Sequence, residues 1–409
     1  MNIGMISTRF AGTDGVSLEA AKLAHVLEDM GHTIAYCAGE LDEGLPGLEV
    51  PELHFEDPVS QELSARAFSV GEPDNTLLPD IAHRAAELRD PLNAFIREFD
   101  IEYVIAQNIF AIPMQLPAQA LGDILAETGL PGLAHNHDLY WERERFTHHQ
   151  LGEFLDTYFP PDLPRLCQAV INSLAQDALY RRRGLESVIL PNVFDFENPP
   201  PPADAYAQSF RQAIGLTDED RLILQPTRVI PRKGIELAID LVARLDDPRA
   251  KLIITHRAGD EGLDYLRFLE RTAAERGVDL RYVADIVDSQ RGEMADGRPV
   301  FTLWDTYAAA DFVTYPSYIE GFGNALLETI YFRLPAMVNR YPVYTADIGP
   351  KGFNFVEIDG QVTDETVRDV QALLEDPALV RRMVDHNYQI ALEHYSYRAL
   401  AASVAPCLP

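Results

Sequence analysis

Two short stretches of this 409-residue chain combine residue types that can manage a negatively charged leaving group. The first is Ser317-Tyr318-Ile319-Glu320-Gly321-Phe322-Gly323-Asn324-Ala325-Leu326-Leu327-Glu328. A strand is expected to end near Tyr315, and a helix to begin near Gly323. Free backbone N–H groups at such a helix start favour an anion, for instance a diphosphate. Glu320 falls in the loop and Glu328 about two turns further along. Eight helical residues span ~12 Å, so the two carboxylates cannot act on one atom. They can hold two ends of an extended ligand. The plain alternative is an acid in a turn and an acid on a solvated helix face.

The second stretch is Pro226-Thr227-Arg228-Val229-Ile230-Pro231-Arg232-Lys233-Gly234, again between a strand and a helix. Arg228 and Lys233 are five residues apart across a proline-bearing loop and can converge on a phosphate pair. A solvated basic loop is the alternative. Only four lysines occur (Lys22, Lys233, Lys251 and Lys351) in a chain with 64 acidic residues, which makes the placement of Lys233 informative. A third stretch, residues 139–146 (Leu-Tyr-Trp-Glu-Arg-Glu-Arg-Phe), is dense in rings and charge. Aromatic faces suit sugar C–H surfaces, and arginines suit carboxylate or phosphate. Tyr140, Trp141, Arg143 and Arg145 could therefore hold a sugar-like ligand, an acidic one included. An amphipathic helix with Glu–Arg pairs is the competing reading. Asp218-Glu219-Asp220 has the Asp-x-Asp shape of a metal site but sits where a turn is expected. Tyr180-Arg181-Arg182-Arg183-Gly184 reads as a basic helix end, where cations favour the dipole.

These residues need a scaffold, and the chain supplies an alternating one. Strands are expected at residues 2–8, 33–38, 101–106, 132–135, 169–172 and 187–190, with helices at 17–30 and 115–128. The alternation restarts with strands at 221–225, 251–255, 280–283, 312–315, 336–338 and 353–358. Helices are expected at 234–245, 265–276, 304–310, 325–332 and over 364–400. Two alternating halves imply two doubly wound parallel-sheet domains. The proline run Pro199-Pro200-Pro201-Pro202 is a stiff extended segment and the natural boundary. The expected division is 1–197, a linker at 198–207, 208–385, and a C-terminal helix at 386–409 that packs back on the first domain. Ligands of such sheets sit at the carboxyl ends of strands, where the stretches above fall.

Composition narrows the function further. Apolar residues make up 47% of the chain and charged residues 24%, an ordinary globular balance. No apolar run reaches the roughly 18 residues that a membrane helix needs, and the N-terminus reads as a strand rather than a signal peptide. The net charge is −30, with −20 of it in residues 1–200. Such a surface repels nucleic acid and anionic lipid. Cys37, Cys167 and Cys407 are odd in number and far apart, so neither a metal spacing nor a disulfide framework follows, and a cytoplasmic location is expected.

In order and spacing, these motifs make the chain resemble the retaining glycosyltransferases of the GT-B fold, family 4 (glycosyl transferases group 1). That family carries a basic pair in an Arg-x4-Lys-Gly loop and, about 90 residues later, a Glu-x7-Glu motif. Here they are Arg228 with Lys233-Gly234, and Glu320 with Glu328. Tyr307-Ala308-Ala309-Ala310-Asp311, Pro316-Ser317 and Pro191-Asn192 also match, so the resemblance covers nearly the whole chain. It implies two Rossmann-like domains facing across a cleft. It also implies metal-independent transfer of a hexose from a nucleoside-diphosphate sugar to a soluble polar acceptor, with no bound cofactor. Arg228 and Lys233 would hold the diphosphate, Glu320 the sugar hydroxyls and Glu328 the ribose. The amides near Phe322, Gly323, Asn324 and Ala325 would face sugar and phosphate. The Gly-rich loop would be Gly12 to Gly15, where Gly-Thr-Asp-Gly replaces the usual paired glycines; Asp14 would face the acceptor or cap the next helix. A strand-end histidine would approach the sugar; His135, directly at the strand end, fits best, with His137 on the acceptor side as the alternative. Under this resemblance the ligand of Tyr140, Trp141, Arg143 and Arg145 becomes the acceptor. A second departure is Asn339-Arg340-Tyr341-Pro342-Val343, where many members carry a glycine-bearing loop. Retention is usually explained by same-face attack through an oxocarbenium-like transition state. A nucleotide-sugar epimerase, or a non-catalytic nucleotide-sugar-binding protein, is the alternative on the same fold. A pyridoxal-dependent phosphorylase would need a Schiff-base lysine, for which few lysines remain. UDP-glucose, GDP-mannose and ADP-glucose all fit as donors. A glyceric acid derivative or a sugar phosphate fits as acceptor.

Overall fold

The computed structural model describes residues 1–12, 14–259 and 262–409, the side chain of residue 117 excepted. The chain divides into two compact units, Met1–Val193 with Tyr397–Pro409, and Phe194–Ser396.

In the first unit seven strands form one sheet: β1 (Asn2–Ile6), β2 (Thr33–Ala38), β3 (Gly47–Glu49), β4 (Tyr103–Gln107), β5 (Gly132–Asn136), β6 (Leu166–Val170) and β7 (Val188–Ile189). Their order is β3-β2-β1-β4-β5-β6-β7, and every pairing is parallel. The direction of winding reverses between β1 and β4, so the loops after those two strands flank the crevice where ligands of such sheets bind. Strand residues alternate between two apolar layers. Ile3, Met5, Ile34 and Ile105 face the helix Gly15–Asp29 through Ala20, Leu23 and Leu27. Ile6, Val104 and Ala106 face the helix Leu77–Glu98 through Leu88, Leu92 and Phe95. That packing is tight: a Cβ on Gly4 would lie 2.8 Å from the Phe95 ring. The helices Pro58–Ala67 and Leu77–Glu98 had no counterpart in the expected pattern. The longer one does carry a helical apolar stripe, Leu77, Ile81, Ala85, Leu88, Leu92 and Phe95, but the internal Pro91 argues against a helix in sequence.

The first unit is completed by the last residues of the chain. The helix Tyr397–Val404 buries Leu400 and Val404 in the same layer as Leu23 and Leu27. This return sets Cys407 beside Cys167 on β6, and the two are disulfide-bonded across 240 residues of sequence. The cysteine spacing gave no hint of the bond, because only the fold brings the C-terminus to that strand. The other end of the main segment is also held: Lys22 donates to the Val193 carbonyl (2.7 Å) and Glu19 accepts from the Val193 N–H (3.3 Å).

The second unit carries six parallel strands, β8 (Arg221–Gln225), β9 (Ala250–Ile254), β10 (Leu280–Tyr282), β14 (Phe312–Tyr315), β15 (Ala336–Asn339) and β16 (Val356–Ile358), in the order β10-β9-β8-β14-β15-β16. Its winding reverses between β8 and β14. One layer of core packs Ile223, Leu252, Ile254 and Met337 against the helices Ile235–Leu245 and Asp364–Glu375. A small excursion of β11 (Val287–Asp288), β12 (Gly292–Glu293) and β13 (Pro299–Thr302), absent from the expected pattern, lies between β10 and β14. Arg291 anchors it by pairing with Asp204 (2.6 Å) and Asp305. The proline run 199–202 lies in this unit, after the boundary at Val193. The helical stretch 364–400 is three helices, interrupted at Asp376, which caps the next one, and at Ser396.

Candidate functional site

In the second unit both motif loops sit at the carboxyl ends of the two strands that flank the winding reversal. After β8 the chain runs to a tight turn, Pro231–Lys233, closed by Gly234 at φ +61°. A Cβ on Gly234 would fall 2.5 Å from the Pro316 carbonyl oxygen, so only glycine lets the loop after β8 lie against the loop after β14. The Tyr318 N–H donates to the Arg232 carbonyl (2.9 Å), and Arg232 donates to the Ile319 carbonyl (3.0 Å).

This contact brings Lys233 to Glu320 as a direct ion pair. Both are buried: Lys233 is 8% exposed and the Glu320 side chain 9%. Arg232 lies 3.5 Å from the other Glu320 oxygen. Burial pulls the Lys233 ammonium below its ordinary pKa, and the Glu320 charge restores only part of that. Burial pushes the Glu320 carboxyl up, but the Lys233 ammonium, Ser317 and Arg232 together more than reverse it, so the group stays below the usual carboxylate range. The Tyr315 hydroxyl is also within hydrogen-bonding reach of Glu320. Arg228 is exposed and close enough to add to the lowering of Lys233.

Glu328 is half-buried on the helix Asn324–Tyr331. The fully buried Tyr307 hydroxyl donates to its carboxylate (2.9 Å) and to the Ala325 carbonyl (3.2 Å). The ring of Tyr307 stacks on Phe332 at 5.2 Å. Glu328 is thus oriented from beneath rather than left on a free helix face. Phe322 is buried, and Gly323, at φ +137°, precedes the helix that opens with Asn324 and Ala325.

In the first unit a polar cluster sits at the ends of β1, β4 and β5. Gln107 is fully buried between two imidazoles. Its Oε1 lies 3.1 Å from His135 Nδ1, and its Nε2 lies 2.7 Å from His137 Nε2. One primary amide therefore serves both rings as acceptor and donor. The Gln107 carbonyl accepts from Ser7 (3.0 Å), and Asn108, at φ +57°, accepts from the His137 N–H (2.9 Å). Burial pulls His137 down to about 4, and burial with the neighbouring His137 pulls His135 well below its ordinary value, so both rings are neutral at pH 7. The structure thus keeps both histidine candidates together.

The Gly-rich loop candidates are more dispersed in role. Asp14 caps the helix Gly15–Asp29, accepting from the N–H groups of Val16 (3.0 Å) and Ser17 (3.1 Å) and from the Ser17 hydroxyl (2.7 Å). Arg9 pairs with it at 2.9 Å. Of the two roles open to Asp14, this is the cap. Gly15 is the first residue of that helix, and the Gly12 N–H donates to Asp42 (3.2 Å). Thr13 lies outside the described residues.

Residues 140–146 form two short 3-10 turns and not an amphipathic helix. Arg143 is engaged by Asp138, Trp141 packs beside Leu139 and Val170 with Arg182 over its ring, and Tyr140 meets Trp141 edge-on. Arg145 lies over the Phe146 ring at 4.6 Å and has no carboxylate partner among the described residues. Asp220 accepts from Thr217 in the turn expected for it, and Gly184 closes the basic helix end. Among the described residues no three His, Cys, Asp or Glu side chains converge as metal ligands, and no helix is long and apolar enough to cross a membrane. Gln107 and Asn108 belong to no motif, and Tyr307 and Tyr341 stand in the sequence only within the family-like words 307–311 and 339–343.

No family model matches the chain. It is similar to a mannosylglucosylglycerate synthase from Petrotoga mobilis, 34% identical over 89% of this chain and 88% of that protein. A mannosylglucosylglycerate synthase from Thermotoga maritima is 32% identical over 98% of each chain. Among solved structures, sucrose-phosphate synthase from Thermosynechococcus elongatus superposes with a TM-score of 0.67 at 15% identity, over 99% of this chain and 97% of that one.

Proposed function

The chain belongs to the group 1 glycosyltransferases of the GT-B fold, and from that premise we propose that it moves a hexose from a nucleoside-diphosphate sugar to a soluble acceptor with retention of configuration. The observation that carries this reading is the buried Lys233–Glu320 pair at the winding reversal of the second unit. A buried ion pair of this kind is costly to hold unless its charges meet a ligand. A diphosphate sugar supplies both needs, phosphate oxygens for Lys233 and hydroxyl donors for Glu320.

In the reaction, the bond from the anomeric carbon to the diphosphate oxygen breaks as an acceptor hydroxyl oxygen bonds to that carbon from the same face, its proton passes to the departing diphosphate, and negative charge grows on the leaving group. Arg228, Lys233 and the Gly323 N–H neutralise that charge in place, without waiting for solvent to reorganise. Glu320 and Glu328 fix the two ends of the donor, sugar and ribose. Glu328 can do so because Tyr307 holds it in one orientation. The sugar-facing role of the first unit we assign to the neutral His135, which shares the Gln107 amide with His137. Neutrality suits that role, since an imidazolium there would oppose an oxocarbenium-like transition state.

The relatives' name points to the substrates: mannose as the transferred hexose, and an acceptor that ends in glycerate. The acidic surface also favours a small soluble acceptor over one embedded in an anionic lipid surface. Arg145, without a carboxylate partner among the described residues, is the residue we assign to the glycerate carboxylate. The test incubates the protein with GDP-mannose, UDP-glucose or ADP-glucose, with and without glucosylglycerate, and measures nucleoside diphosphate release. Release from one donor, raised by glucosylglycerate and lost in Lys233→Ala, supports the reading. A product whose new linkage has the donor's anomeric configuration by NMR coupling supports retention. No release from any donor in the presence of acceptor refutes it.

A further inference from the structure

We infer that Tyr341 is a positioning residue of the donor site, which locks one peptide plane so that the Gly323 N–H points at the ligand. The inference rests on the donor-site reading above and adds a residue to it. Tyr341 stands two residues beyond β15. It is 1% exposed, and its hydroxyl donates to the Phe322 carbonyl at 2.7 Å. A trans peptide is planar, with its C=O and N–H pointing in opposite directions. Fixing the Phe322 carbonyl toward Tyr341 therefore aims the Gly323 N–H the other way, away from the Tyr341 hydroxyl. No group among the described residues accepts from that N–H.

Two further observations show that this arrangement is built. A Cβ on Gly323 would lie 2.5 Å from the Tyr341 hydroxyl and 3.4 Å from that of Tyr315, so the two phenols form a floor that only glycine can rest on. The segment after β15 also grips the loop at a second point, where Asn339 donates to the Ser317 carbonyl (3.0 Å) and accepts from the Gly360 N–H (2.8 Å). Glu320 lies between these two grips. The rings of Tyr315 and Tyr344 pack around Tyr341 at 6.0 and 5.8 Å, so removing the hydroxyl alone leaves the packing in place.

Tyr341→Phe is the test, with binding measured by calorimetry. The probes are GDP-mannose, UDP-glucose and ADP-glucose, each beside its nucleoside monophosphate. Wild type identifies the donor. The expected result is that Tyr341→Phe weakens that donor about tenfold, the value of one lost charge-assisted hydrogen bond, while the monophosphate binds as before and Tm moves by only a few degrees. Transfer kcat/KM for the donor falls in parallel, and acceptor KM is unchanged. Donor binding equal to wild type overturns the inference, as does an equal loss for donor and monophosphate, which marks general loosening of the unit. If wild type binds none of the three donors, the donor-site reading itself falls and takes this one with it.

Discussion

Replacing Lys233 by Met keeps most of the side-chain volume and removes the charge. Both members of the Lys233–Glu320 pair are about nine-tenths buried, so solvent does little to screen the loss. Breaking a buried pair from one side costs about 3–5 kcal/mol, because it leaves an uncompensated charge. The pH dependence makes the cause visible. In wild type the Glu320 carboxyl is lowered, so its stability contribution is present above the unfolded value near 4.5 and is lost only as pH falls through the folded one. Without Lys233, burial, the largest single influence, is opposed only by Ser317 and the more distant Arg232, and the carboxyl rises. The sign then reverses: stability is greatest at low pH and is lost as pH climbs through the raised value. Urea unfolding at pH 5 and pH 8 reads this directly. Lys233→Met should be destabilised by about 3–5 kcal/mol at pH 8 and by at least about 1 kcal/mol less at pH 5, since one pKa unit is worth 1.36 kcal/mol. Lys233→Met/Glu320→Gln, which removes both charges, should be more stable at pH 8 than Lys233→Met alone. Activity provides a second scale. A charged hydrogen bond to the leaving group is worth about 1.5–3 kcal/mol, or roughly 10- to 150-fold in kcat/KM. Equal destabilisation at both pH values, with less than a threefold loss in transfer, would refute both the pairing and its role.

Other perturbations test the remaining geometry. His137 is lowered to about 4 by burial, so its stability contribution is complete above the unfolded value near 6.5 and is lost toward pH 4, by about 3 kcal/mol; His137→Gln should flatten that slope in urea melts between pH 7 and pH 4.5. Gly234→Ala puts a Cβ 2.5 Å from the Pro316 carbonyl at a positive φ, and we expect about 2–3 kcal/mol of destabilisation by thermal unfolding together with weakened donor binding. Arg145→Ala should raise acceptor KM severalfold, whereas Arg143→Ala, whose charge Asp138 already takes up, should change it little; unchanged acceptor KM in Arg145→Ala removes that residue from the acceptor site.

Local pattern was enough for a good part of this protein. The alternation of short apolar runs with amphipathic stretches made both parallel sheets legible, because strand and helix periods are properties of neighbouring residues. The loops bearing Arg228, Lys233, Glu320 and Glu328 were legible for the same reason, since each motif lies within a dozen residues and follows a strand. What stayed hidden depends on contacts between distant residues. Nothing near Gln107 announces that its amide will sit between His135 and His137, because that follows from the parallel register of β4 and β5. Tyr307 became the support of Glu328 only when the helix 324–331 packed over it. Cys407 met Cys167 only because the final helix returned to the first unit. Arg143 and Asp14 carried charges that looked available in sequence, until Asp138 in one case and the cap of a helix with Arg9 in the other took them up. Residue types and local period were enough to say which side chains could meet a donor and that they would stand at the carboxyl ends of their strands. Which of their charges and N–H groups were already satisfied depended on the folded chain, because hydrogen-bond and ion-pair partners are chosen by proximity in space, and no short stretch of chain carries that.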